Sequence, residues 1–254
     1  MQPIRQLHPA AQPITLLGVW AHPDDEAYLS AATMSRVVST GGRVVLATAT
    51  RGELGGTGDP QRLAAARERE LRQAMSIIGV DDVRLLGYAD GECADADFDH
   101  AVRAIVEVIE AVKPDIIVTF GPDGITYHPD HIAVSSWTTA AASTLEHDGL
   151  LYATMTDEFA RRHDDLHTKL GVWMAGEPCP VPTDDLALHV IPTRRERMLK
   201  QRVLRAHASQ ISALIEMIGD EVFDSWWVEE FFRRPTPDEV EAAQRMGAQP
   251  WLSI

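Results

Sequence analysis

Cysteine is almost absent from this chain, with two residues, Cys93 and Cys179, in 254. Neither lies in a CxxC or Cys/His cluster, which excludes a zinc knuckle and a disulfide framework. The pair reads as reduced thiols of a reducing compartment. Basic residues are also few, 23 Lys+Arg against 38 Asp+Glu, giving a net charge of −15. That deficit argues against a nucleic-acid binder, which needs a basic face, and against an anionic membrane surface. Long apolar runs are lacking. The stretch Ile14–Trp20 is too short for a membrane span or a signal-peptide core with its cleavage site. The expectation is a soluble cytoplasmic protein. No GxGxxG follows that first apolar run, which removes the main signature of a dinucleotide binder.

What the chain does contain is ordinary globular material, 45% hydrophobic and 24% charged. A chain of this length buries roughly 70–75% of its unfolded surface and needs no disulfide or structural metal for its core. Apolar runs typical of buried strands occur at Ile14–Trp20, Arg43–Thr50, Val83–Gly87 and Asp115–Phe120. Helical patterns separate them: after AHPDDE as far as Gly41-Gly42, near Gln61–Ile78, and over 98–112, where Val102, Ile105, Val106, Ile109 and Val112 share one face. Lys113-Pro114 stops that last helix. Continuous apolar strands alternating with helices predict a parallel sheet covered on both faces. The expected fold class is α/β: a Rossmann-like, doubly wound, mostly parallel sheet with a C-terminal α/β extension. Its ligand crevice lies beyond the strand carboxyl ends. The reading is a single domain over 1–254, with an N-terminal arm at 1–13, a core at 14–147 and the extension at 148–254. In the extension, Leu150–Thr156 and Asp185–Ile191 read as strands, Asp157–Leu170 as helix or loop, and Arg194–Ile218 as one long helix.

Two related segments carry chemistry. His22-Pro23-Asp24-Asp25-Glu26 follows the first strand, and His128-Pro129-Asp130-His131 follows the fourth. Each opens a helix, because Pro and acidic residues suit its first turn. In a doubly wound order these strands flank the switch point, so the segments should meet. His22, Asp25 and His131 then form a two-imidazole, one-carboxylate donor set with an open position, the pattern of a catalytic zinc. Ferrous iron fits the same donors. Asp24 is the candidate general base for a water at that position. His128, with Asp130 as orienting partner, could polarise a carbonyl or stabilise an oxyanion. The bland reading, two helix-capping segments, has to explain two His-containing copies, both placed after strands.

AHPDDE after the first strand, TRGELG after the second and HPDH after the fourth resemble the LmbE-like, PIG-L type N-deacetylases. The resemblance covers about residues 14–218 and implies a zinc-dependent hydrolase that removes an acyl group from an acetamido sugar or N-acetylglucosaminyl conjugate. It implies His22, Asp25 and His131 as zinc ligands, Asp24 as base, and His128 with Asp130 at the tetrahedral intermediate. It also places Arg51, Gly52 and Glu53 near a sugar, with an Arg51–Glu53 turn pair as the structural alternative. Arg67 and Glu70 match an RxxE pattern, where Arg67 either reaches a substrate hydroxyl or phosphate or forms a solvated ion pair. Asp90 matches a sugar-binding position, although Asp90-Gly91 is also a turn signal. The sequence departs from the family over Ala27-Tyr28-Leu29-Ser30-Ala31, where relatives often have a Gly-Gly pair. It departs again at Tyr127, which stands where many relatives have glycine and could narrow the pocket or donate to an oxyanion. An amidase acting on a larger conjugate and a non-catalytic sugar- or nucleotide-binding module are the alternatives. The implied partner is a small acetamido sugar conjugate, with no nucleic acid and no membrane, and a homo-oligomer is compatible.

Two further features stay apart from the motifs. His207, between Val203 and Ile211 on the apolar face of the long helix, reads as a core histidine close to the site. Trp226-Trp227 and Phe231-Phe232 read as core packing or a subunit interface rather than a sugar platform.

Overall fold

The computed structural model describes residues 13–174, 176 and 179–247. Almost all of the proposed N-terminal arm, the end of the C-terminal tail and part of the Gly176–Pro182 loop lie outside the described residues. Five strands, β1 (Thr15–Trp20), β2 (Arg43–Thr48), β3 (Asp82–Leu85), β4 (Ile116–Phe120) and β5 (Leu150–Thr154), form the parallel part of one sheet. From Leu16 on, every residue of β1 is buried, as is all of β4. That burial on both faces is why these runs are apolar throughout instead of alternating.

The sheet order is β3-β2-β1-β4-β5-β7-β6. The last two strands, β6 (Leu188–Val190) and β7 (Glu230–Arg233), come from the extension. β7 runs antiparallel to both β5 and β6, so the sheet is mixed at one edge. The helices α1 (Asp25–Ser39), α2 (Pro60–Ile78), α3 (Phe98–Val112) and α4 (Pro129–Thr144) are the crossovers. α1 and α2 pack with a later helix, α7 (Arg194–Ala206), whereas α3 and α4 pack with α10 (Pro237–Gly247). The strand order reverses between the parallel neighbours β1 and β4, which puts the loops after these two strands at one crevice.

The extension differs from expectation in detail. Asp157–Leu170 is two short helices, α5 (Asp157–Arg162) and α6 (Asp164–Leu170). The strand expected over Asp185–Ile191 shrinks to three residues behind a 3-10 turn at Thr183–Asp185. The long helix is broken into α7 and α8 (Ala208–Ile218), followed by α9 (Asp220–Ser225). The break falls at His207, whose imidazole turns inward to Glu26 with neither residue exposed. Apolar spacing on either side of His207 stays in helical phase, so periodicity alone cannot show the interruption.

Candidate metal centre and active site

β1 ends at Trp20, and the chain turns through His22, Pro23 and Asp24 into α1. Asp24 is the N-terminal cap and sits at φ 107°, a left-handed conformation rare for a residue with a side chain. Its N–H donates to Glu26 Oε2 at 3.0 Å, and its carbonyl accepts from Ala27 and Tyr28. The turn folds Asp25 back so that Oδ2 accepts the His22 N–H at 2.7 Å. β4 supplies the other half: Gly124 and His128 lead into α4, with His128 as its cap.

The two segments converge. His22 Nδ1 lies 3.1 Å from His131 Nε2, and Asp25 places its two oxygens 3.7 Å and 3.4 Å from those nitrogens. Each imidazole has its opposite nitrogen engaged. His131 Nδ1 meets the Gly124 carbonyl at 2.9 Å, which fixes Nε2 as a lone pair. His22 Nε2 faces Asp130 Oδ2 and Asp90 Oδ1, both at 3.0 Å, so the proton belongs on Nε2 and Nδ1 is the free donor. Carboxylate and carbonyl partners of this kind orient metal-binding histidines. Phe120 stacks on the His131 ring at 4.2 Å and holds its plane.

The donor set fits a divalent cation on its electrostatics as well. Three carboxylates, Asp25, Asp90 and Asp130, converge on His22. Burial lowers the pKa of His22, but those carboxylates outweigh it and push the value up to about 10. Burial and the neighbouring His22 charge push His131 down to about 3. The carboxylates thus favour positive charge at His22, and a cation on Nδ1 would take the place of a proton there. His128 also offers a ring nitrogen, all within 4.8 Å of those of His22 and His131.

Asp130 is fully buried, and its carboxylate does not orient His128. It accepts from Gly91 N–H at 2.7 Å, from Cys93 N–H at 3.1 Å and from His22. His128 is held instead by the Asp130 backbone N–H, which donates to Nδ1 at 3.1 Å. Burial and the nearby imidazoles lower the His128 pKa. A neutral ring with Nδ1 accepting keeps its proton on Nε2, so His128 can donate without being cationic.

Arg67 is 4% exposed and not a solvated ion pair. Its guanidinium donates to the Pro23 and Gly52 carbonyls at 2.6 and 2.8 Å, and lies 3.4 Å from Asp24 Oδ2. Burial raises the Asp24 pKa to about 6 against the pull of Arg67. Glu70 turns the other way and caps α8 through Ser209 N–H and Oγ. Arg51 and Glu53 do not pair. Arg51 is exposed and reaches toward Glu68, whereas Glu53 accepts the Asp90 N–H at 3.1 Å. Tyr127, at φ 60°, directs its hydroxyl to Cys179 Sγ at 3.0 Å. Neither Arg51 nor Tyr127 lines the cavities at the centre.

Two cavities meet there. A polar groove of about 340 Å³ runs past Leu54, Gly55, Arg67, Asp90, Gly91 and His128. An apolar cavity of about 220 Å³ is walled by Tyr28, Leu29, Phe120, Val172, Trp226 and Trp227. Both include Asp24, Asp25 and His131. Glu26, the Gly124 carbonyl and the two tryptophans join the site without a motif of their own in the sequence. Glu26 lies inside the DDE motif, which was its only signal. A carbonyl's direction and the path of α9 leave none.

Comparison with known proteins follows the same lines. Residues 17–142 match the family described as PIG-L, GlcNAc-PI de-N-acetylase. The chain is 34% identical to a 1D-myo-inositol 2-acetamido-2-deoxy-alpha-D-glucopyranoside deacetylase of Salinispora arenicola, over 77% of this chain and 76% of the relative. The chain belongs to the PIG-L family. A second PIG-L relative of the same name, from Thermomonospora curvata, is 30% identical over 82% of this chain and 87% of its own length. With the Kineococcus radiotolerans protein of that name, identity is 38%, but the match spans 54% of this chain and about half, 47%, of the relative. Among solved structures, N,N'-diacetylchitobiose deacetylase from Pyrococcus horikoshii aligns with TM-score 0.62 at 19% identity, covering 92% of this chain and 86% of that one. The zinc-inhibited form of teicoplanin deacetylase Orf2 aligns with TM-score 0.64 at 14% identity, covering 83% and 90%. These likenesses show the shared α/β fold. Among the described residues, no helix is long and apolar enough to cross a membrane.

Proposed function

We propose that this chain hydrolyses the N-acyl amide of an acetamido sugar conjugate, with His22, Asp25 and His131 as ligands of a zinc ion. The observation that carries the reading is the convergence of His22 Nδ1, His131 Nε2 and Asp25, with the opposite ring nitrogens already engaged. A bound divalent cation supplies a Lewis acid and lowers the pKa of water toward neutrality. The chain's own groups do the rest. Asp24, half-buried at the rim of both cavities, takes a proton from the attacking water through the carboxylate oxygen that Arg67 leaves free, and returns it to the departing amine nitrogen. Arg67 keeps that carboxylate in place. His128 donates from Nε2–H to the amide oxygen as negative charge develops there. Asp130 and Asp90 hold His22. The polar groove, lined by Leu54, Gly55 and Asp90, takes the sugar. Relatives named as deacetylases of a glucosaminyl-inositol conjugate support that substrate class.

The test is metal analysis of the purified chain, together with acetate release from 1D-myo-inositol 2-acetamido-2-deoxy-α-D-glucopyranoside and from N-acetylglucosamine. Stoichiometric zinc with equimolar acetate and free amine is expected. Protein that holds no divalent ion and releases no acid from either amide would exclude the reading.

A further inference from the structure

The apolar cavity is far larger than an acetyl methyl group requires. At about 220 Å³ it exceeds the ~150 Å³ void that accommodates benzene in an engineered protein core. It opens on the same Asp24, Asp25 and His131 that the polar groove reaches from its other end. An amide placed between them therefore projects one substituent into each.

Which substituent goes where follows from polar satisfaction. Beyond the shared Asp24, Asp25 and His131, only Tyr28 and Thr126 of the lining carry a side-chain oxygen, and Thr126 Oγ1 lies 3.5 Å from His131 Nδ1. The Trp226 indole N–H already donates to His167 Nε2 at 2.9 Å. His167 is fully buried, and burial pushes its pKa down to about 4, so it is a neutral acceptor. A sugar ring in this cavity would bury several hydroxyls with too few partners, each at a substantial cost. Aliphatic or aryl carbon meets aromatic and aliphatic faces there and gains by leaving water. Trp226 and Trp227 are 7% and 6% exposed, and Phe159 packs on the far side of Trp227 at 4.8 Å. The wall is thus braced and does not collapse into the void. Tyr28 stands edge-on to both tryptophans at 6.0 and 6.5 Å.

We infer that this cavity is an acyl-binding pocket, and that the chain prefers amides of medium-length aliphatic or aryl acids, of the size of hexanoyl or phenylacetyl, over acetamides. The inference rests on the hydrolytic reading above and deepens it. Water adds to the acyl carbon, the C–N bond breaks, and the products are the free acid and the amino sugar. Val172, on the loop after α6, and Trp227, after α9, set the depth of the pocket.

The experiment is a series of glucosamine N-acyl derivatives from acetyl to octanoyl, with phenylacetyl, assayed on the zinc-loaded full chain. kcat/KM should rise about fourfold per methylene, from ~0.8 kcal/mol for each buried CH₂, and level off where the cavity is full. Val172→Trp should cut the hexanoyl-to-acetyl ratio at least tenfold. A second measurement is independent of turnover: saturation-transfer NMR with phenylacetamide and acetamide, with zinc and after chelation. Phenylacetamide should show transfer from the wild-type chain that Val172→Trp and Trp227→Ala reduce. Acetyl derivatives turned over with kcat/KM falling steadily as the chain lengthens would overturn the pocket and leave deacetylation standing. Absence of phenylacetamide binding would likewise overturn the pocket. Failure to release any acid from any member would remove the hydrolytic reading, and the acyl specificity with it.

Discussion

His207 Nε2 lies 2.8 Å from Glu26 Oε1, across 181 residues of chain, and neither residue is exposed. The other Glu26 oxygen accepts the Asp24 N–H. A residue at the junction of two helices in the extension thus holds the left-handed turn that presents Asp24 and Asp25. Removing one partner of a buried ion pair typically costs 3–5 kcal/mol, because the remaining charge is uncompensated. His207→Ala should lose about that much in urea unfolding. Glu26→Gln keeps an oxygen for the Asp24 N–H and should lose less. Equal losses would show that the Asp24 turn does not depend on this carboxylate.

Asp24 and Asp25 are adjacent but have different tasks, and metal content separates them. Asp24→Asn should retain zinc at the wild-type ratio and lose roughly 10²–10⁴-fold in kcat, the usual size of a general acid–base contribution. Asp25→Asn should lose zinc. Zinc loss from the Asp24 variant, read by metal analysis after gel filtration, would make Asp24 a ligand.

Asp130 shows no exposure, and of the three proposed ligands its carboxylate meets His22. Partners of this kind usually contribute 10–100-fold to metal affinity. Asp130→Asn should weaken zinc binding in that range in a chelator competition, with the fold retained by circular dichroism. An unchanged affinity would assign the orientation of His22 to Asp90 alone.

The strand runs and the two HPD segments made the parallel core and the meeting of His22 with His131 legible, because burial on both faces and helix-start chemistry leave local signals. The roles of Asp130 and Arg67 were not legible in the same way. Asp130 opens α4 next to His131, yet its carboxylate serves His22 in the turn after β1. Arg67 sits in a charged stretch of α2, and the Gly52 loop together with the Pro23–Asp24 turn makes it interior. The break at His207 depends on a partner 181 residues away. Trp226 and Trp227 do pack as core, as their composition implied, but one face of that core is also a cavity wall. Whether an aromatic residue fills space or borders it depends on what lies opposite, and a sequence carries no record of that.

Glu196 links α7 to the end of α1 and gives the chain an acid-sensitive contact. Its carboxylate takes Arg36 Nε and Nη2 at 2.7 and 3.1 Å and the Thr193 N–H at 2.6 Å. The Arg36 hydrogen bonds, with the cap, hold its pKa down to about 2, below the ordinary 4.5. A depressed carboxylate contributes stability above its unfolded pKa and loses it as pH falls through the folded value. The stability difference between wild type and Glu196→Gln should therefore be full above about pH 5 and fade between about 4.5 and 2. Because the site is partly solvated, the difference should stay near a capping contribution, about 0.5–2 kcal/mol. A gap that persists at pH 2 would mean the contact does not require the ionised carboxylate.

Lys200 and Glu230 form a second buried pair, 2.8 Å apart and almost without exposure. They are inserted into α1 itself. Glu230 accepts from the Ala32 and Thr33 N–H groups at 2.8 Å and from Thr33 Oγ1, and Lys200 Nζ donates to the Tyr28 carbonyl at 2.6 Å. The pair thereby supplies partners to backbone groups in the middle of the helix that begins with Asp25, and joins α1 to both α7 and β7. Lys200→Met would leave Glu230 buried beside helix donors alone and should cost about 3–5 kcal/mol. Adding Glu230→Gln should recover part of that loss, since the amide oxygen still accepts from Ala32 while no unpaired charge remains. The double-mutant cycle measures the coupling. Zinc affinity in the Lys200 variant reports whether the clamp also sets the start of α1. A loss below about 1 kcal/mol with unchanged zinc binding would show that α1 holds its course without it.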